Sequence, residues 1–191
     1  MNTTENTVTQ IMDVAQSLMM KGGYNAFSYA DVAEAVGIRK ASIHYYFPSK
    51  SDLGRDVMLR YRVQAAEAVA TIDRETGEHG KKLEKYLALF DHVMDQEGEI
   101  CLVCILAADL PALPEPVTGE VREYYREQES WIAGVLEEGV KSGVFKPLAS
   151  YEIEAQYILA TIQGAMLMCR TNCNRERFRA ITRSLMKSLS N

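Results

Sequence analysis

Between Phe27 and Leu53 the chain reads FSYADVAEAVGIRKASIHYYFPSKSDL, and the reading of this stretch decides the fold. Ser28 is placed as an N-cap, its hydroxyl oxygen accepting from a free backbone N–H, and Asp31 suits the first turn of the helix that follows. That helix ends at about Val36, where Gly37 supplies the left-handed geometry of a helix terminus. After Ile38 a further short helix spans about Arg39 to Phe47, until Pro48 forces the chain out of it. Val32, Ala33 and Val36 give the first of these helices an inward side, and Ile43 and Phe47 seat the second on the same core. Arg39, Lys40, Ser42, His44, Tyr45 and Tyr46 are left facing outward, on a helix short enough to enter a major groove.

Upstream, Val8, Ile11, Met12, Ala15, Leu18 and Met19 recur at spacings of three and four and predict a helix from Glu5 to Met20, closed by Gly22 and Gly23. Downstream, Ser49 and Ser51 are alternative caps for a helix carrying Leu53, Val57, Tyr61, Ala65, Ala68 and Ile72, which ends at Gly77 and Gly80. Helical stripes continue at Leu83, Tyr86, Leu87, Phe90 and Met94, over Ile100–Leu110, and from about Val117 to Lys141. The segment from about Tyr151 to Thr171 is apolar on nearly all sides, whereas Arg175–Leu189 has one stripe of Phe178, Ile181, Leu185 and Leu189. A helix of the former kind needs apolar partners on two sides, and Gly164 and Ala165 permit close approach, so a homodimer through the last two helices is expected. No strand pattern of comparable quality occurs. The expected fold is all-α, with about nine helices: a three-helix helix-turn-helix domain over residues 1–52, then a larger helical domain over 53–191.

The stretch Phe27–Leu53 strongly resembles the helix-turn-helix of the TetR/AcrR family. The resemblance implies a DNA-binding transcriptional regulator, a repressor that binds a palindromic operator as a dimer and is released by a small molecule. Arg39 and Lys40 are then placed at guanine edges or phosphates, with Ser42, His44, Tyr45 and Tyr46 beside them. Ser28, at a helix N-terminus, is expected to hold a phosphate, and Lys50 to clamp the backbone. The family pattern has an aromatic residue at His44 and a histidine at Tyr46, so the two are exchanged here, and the role carries over without the operator code. Beyond this segment the likeness is one of architecture.

The formal net charge of −5 is unusual for a DNA binder, because phosphate contacts require cations. Three of the four basic residues before residue 53, however, lie in the recognition segment as Arg39, Lys40 and Lys50. The longest nearly apolar run, Ile100–Ala108, is far short of the roughly 20 residues that span a bilayer. The polar Met1–Gln10 lacks the features of a secretory signal, so a cytoplasmic location without membrane contact is expected. Cys101, Cys104, Cys169 and Cys173 form two local pairs, with no disulfide framework expected in a reducing compartment.

For the second domain the expected effector is small and apolar or aromatic, lined by Tyr61, Tyr86, Phe90, Met94, Cys101, Trp131, Tyr157 and Met168. Cys101 and Cys104, one turn apart at a helix start, are candidates for a thiol-based electrophile or oxidant sensor, although Asp95, Glu97 and Glu99 disfavour a thiolate. Asp109 is read as a helix cap. No metal site or cofactor is expected, since the cysteines lack further ligands at zinc spacing. A small-molecule-modifying enzyme with Cys101 as nucleophile is the competing class, but no histidine is paired with the thiols as a base, and the chain is read as a non-enzyme.

Overall fold

The cap and stripe signals become helices close to where the sequence puts them in a computed structural model of the protein, which describes residues 3–93, 99–171 and 174–190. Nine α-helices occur among these residues: α1 (Thr3–Gly22), α2 (Tyr29–Val36), α3 (Lys40–Tyr46), α4 (Lys50–Glu75), α5 (His79–Val93), α6 (Leu102–Ala108), α7 (Glu115–Lys141), α8 (Tyr151–Arg170) and α9 (Arg175–Leu189). Extended pairing in the described residues is confined to one antiparallel bridge, between Phe145 and Ser190. Met94, Asp95, Glu97 and Cys173 lie outside the described residues.

The chain divides into two compact units. The first comprises residues 1–63 and 102–124. In it α1 packs against α2 and α6, and α2 against α3. Its core takes most of the expected residues: Ile11, Ala15 and Met19 from α1, Val32 from α2, Ile43 from α3, and Leu53 and Val57 from α4 have no accessible surface, whereas Val8, Met12, Leu18 and Val36 are half-buried. Leu102, Val103 and Leu106 of α6 and Val117 of α7 are equally enclosed. Two ties fasten α4 within this unit. Arg60 pairs with Asp13 at 2.7 Å and donates to Gln16 Oε1 at 2.9 Å, and Arg62 meets Glu120 at 2.8 Å.

The second unit comprises residues 64–101 and 125–191. Helix α9 packs against both α5 and α8. Asp91 on α5 accepts two parallel bonds from Arg175, each 2.8 Å, and a further set from Arg179 at 3.0 to 3.2 Å. A bidentate guanidinium fork of this kind fixes orientation as well as charge. The Arg175 bonds, with those of Arg179, hold the Asp91 carboxyl below the usual carboxylate range. Much of the basic character of α9 is thus spent inside the unit, as Arg183 also pairs with Glu176 at 2.8 Å.

Of the two caps the sequence offers for α4, Ser49 is the one used: the Asp52 N–H donates to its hydroxyl at 3.1 Å, and the Ser49 N–H returns the bond to Asp52 Oδ2 at 3.0 Å. One local expectation needs correction. Asp109 stands at the cap position of a short 3-10 turn, Leu110–Ala112, but its side chain makes no capping bond. It faces Gly23, whose backbone has φ 83° and ψ 178°. That region is open essentially to glycine alone and costs other residues about 1–3 kcal/mol. A β-carbon at position 23 would also sit 2.7 Å from Asp109 Oδ2. Gly23→Ala is therefore expected to lower the melting temperature by about 5 °C. Adding Asp109→Ala should recover only the steric part, and an unchanged melting curve for the single variant would refute this account.

Candidate nucleic-acid interface

The outward helix is held by a small set of bonds that fix its pose. Ser28 Oγ accepts from the amides of Ala30 at 3.2 Å and Asp31 at 3.4 Å, and the Ser28 N–H donates to Asp31 Oδ2 at 2.6 Å. This reciprocal capping box fastens the start of α2. At its end Gly37 adopts φ 76° and ψ 31°, and its N–H donates to Ala33 at 3.0 Å. The chain then reverses into α3 within the span of Ile38 and Arg39. The Tyr29 hydroxyl, on α2, donates to the Phe47 carbonyl at 2.8 Å and so pins the end of α3. Burial, with smaller contributions from Asp52 and Tyr24, raises the Tyr29 pKa to about 12, so the phenol stays protonated and a donor.

Helix α3 buries Ile43 and turns the predicted set outward. Arg39, Lys40, His44 and Tyr45 are exposed, and Ser42 and Tyr46 are half-buried. Tyr45 is 80% exposed, an aromatic surface that the unit itself does not use, and it meets Tyr46 edge to face at 5.1 Å. His44 is more constrained: its Nδ1 lies 3.3 Å from the Pro48 carbonyl and its ring packs on Tyr29 at 4.7 Å. Only its remaining ring edge is presented outward.

Two expected phosphate ligands are placed differently from the α3 residues. Lys50 Nζ donates to the Phe27 carbonyl at 2.6 Å and lies 4.4 Å from the Phe27 ring centre and 4.8 Å from that of Tyr24. Desolvation lowers its pKa, against the pull of Asp31. The ammonium thus ties the start of α4 to the loop before α2. At Ser28 the hydroxyl oxygen is committed to the cap and the Asp31 carboxylate already occupies the helix N-terminus, held below the usual carboxylate range by the side-chain and backbone bonds of Ser28. Tyr24 and Tyr29, which position this surface, went unnoticed in the sequence because aromatic residues there read as plain core.

The predicted effector lining separates. Tyr86 and Phe90 of α5, Cys101 and Trp131 fall in the second unit, with Tyr86 5.2 Å from both the Phe90 and Trp131 ring centres. Tyr61 belongs to the first unit and packs on Tyr124 at 5.9 Å. Tyr157 and Met168 are exposed on α8. Cys101, Cys104 and Cys169 are all buried.

Residues 11–57 match the model of bacterial regulatory proteins of the tetR family, and residues 81–185 match that of the tetracyclin repressor-like C-terminal domain. The chain belongs to the TetR family. It is a DNA-binding helix-turn-helix regulator of transcription. A TetR-family regulator from Agrobacterium tumefaciens is 34% identical, with 98% of this chain and 99% of that one superposed at a TM-score of 0.94. One from Legionella pneumophila is 28% identical over 100% of this chain and 98% of that one, at 0.88. The repressor DhaR of Mycobacterium sp. (strain GP1) is 21% identical over 87% of this chain and 83% of its own length. The family is one of transcriptional regulators, and among the described residues no helix is long and apolar enough to cross a membrane.

Proposed function

We propose that this TetR-family regulator is a cytoplasmic repressor that binds a palindromic operator as a homodimer and is released by a small apolar or aromatic effector. Residues 1–52 serve as the reading head, and 53–191 sense the effector and dimerise. The observation that carries the DNA half is the geometry of α3: a seven-residue helix pinned at its C-terminal end by Tyr29, with the side chains of Arg39, Lys40 and Tyr45 exposed. Groove entry by such a helix, with base edges read from its first residues, is the helix-turn-helix mode.

Dimerisation is supported by α8. Ile153, Tyr157, Leu167 and Met168 are 64%, 55%, 45% and 48% exposed, and their spacing puts them on one stripe. A β-carbon added at Gly164, within the stripe, would meet open space. A large apolar stripe in water is a costly surface unless a partner covers it. Two copies related by a twofold axis place two α3 helices on successive turns of one groove face, which a palindrome matches.

The direct test is a gel-shift titration of the full-length protein against the DNA flanking its own gene. A single saturating complex of two chains per site is expected. Its affinity should fall by about 10³-fold or more between 50 and 200 mM salt, as several phosphate contacts require. Absence of any shifted site, or binding by a single chain, would overturn the reading.

A further inference from the structure

The second unit encloses a phenol that no other described residue bonds. Tyr86 is 1% exposed, and its hydroxyl has no hydrogen-bond partner among the described residues. Leaving such a group unpaired is costly, whereas a phenylalanine there would fill the same ring volume without that cost. The neighbours seen among the described residues are two rings and a thiol. The ring packs on Phe90 and Trp131, and the Cys101 thiol, fully enclosed, is within electrostatic reach. Trp131 has one polar atom, and its N–H is already given to Asp73 Oδ2 at 2.9 Å, while Asp73 Oδ1 takes Lys82 at 2.6 Å. Burial raises the Tyr86 pKa well above 10, so the group remains a donor at any physiological pH.

We infer that the Tyr86 hydroxyl is the hydrogen-bonding anchor for the effector, a planar apolar molecule carrying a carbonyl or similar acceptor. The inference rests on the reading of the second unit as the sensing body and names the chemistry of its ligand. Faces of Phe90 and Trp131 supply stacking surface, which favours a flat ring over a chain. Of the three rings only that of Trp131 is half-exposed, which makes the indole the solvent-facing member of the group. The acceptor oxygen is what discriminates: a site with a buried donor rejects an isostere lacking the acceptor, because the donor then stays unpaired.

The test compares 2-acetylnaphthalene with 2-ethylnaphthalene, which match in shape and differ in the oxygen. Equilibrium dialysis of the full-length protein should show the ketone bound roughly tenfold tighter or more, the size of one buried hydrogen bond. In Tyr86→Phe the two dissociation constants should agree within about twofold, by weakening of the ketone alone. Because the hydroxyl bonds nothing in the fold, that variant should melt at or above the wild-type temperature. Equal binding of both probes to the wild type, binding of neither, a preference that survives Tyr86→Phe, or a lowered melting temperature would each overturn the anchor. Every one of these outcomes leaves the operator titration as it was, so a failure here is separate from a failure of the regulatory reading.

Discussion

Replacing Arg39 and Lys40 together by alanine is expected to lower operator affinity by about 10²–10³-fold, from the roughly 1–3 kcal/mol that each base or phosphate contact contributes. The same pair should flatten the salt dependence by about two units of log K against log salt, since each phosphate contact contributes a slope of about 0.9. Thermal stability should not change, because both side chains are exposed and neither forms an ion pair among the described residues. Lys50 supplies the internal contrast. Its ammonium is bonded to the Phe27 carbonyl between two rings, so Lys50→Ala should lower the melting temperature first and DNA affinity only through the disturbed pose of α2. Gel titration over a salt series, with melting curves beside it, separates the two classes. A double variant at Arg39 and Lys40 that keeps both affinity and salt slope would move the reading surface away from α3.

The second large effect is expected on α8. Charging the exposed stripe with Tyr157→Glu and Leu167→Glu places like charges opposite one another across a twofold interface. Sedimentation should then report a single chain, with helix content unchanged because neither side chain is buried. Operator affinity should drop by about 10²–10⁴-fold, the advantage lost when two linked reading heads become independent. If the variant still sediments as two chains, the dimer is built on another face.

The architecture was legible wherever local chemistry decides it. Ser28 with Asp31, Gly37 and Pro48 marked the boundaries of α2 and α3, because caps, left-handed turns and proline act over a few residues. The apolar circumference of α8 was legible too, and it divides into an enclosed side with Ile158, Ile162 and Met166 and an exposed side with Tyr157 and Leu167. What periodicity could not supply was the destination of long or amphipathic side chains. Lys50 reads as a surface cation, yet its four-carbon stem carries the charge back to a carbonyl. Tyr61 and Tyr86 look alike in sequence, but one packs on Tyr124 in the first unit and the other lies enclosed in the second. The pairing of Asp109 with Gly23 likewise joins residues far apart in the chain, a tertiary fact with no local signal.

Because residues 102–124 complete the first unit, the reading head is not a portable module. A fragment ending after α3 or α4 would keep every groove-facing side chain but lose α6, one of the helices on which α1 rests. Its freshly bared apolar flank would invite aggregation before it met any duplex. Transplanting this specificity onto another sensor therefore calls for swapping surface residues of α3 into a recipient that already has its own equivalent of α6, not for splicing in the first fifty or so residues.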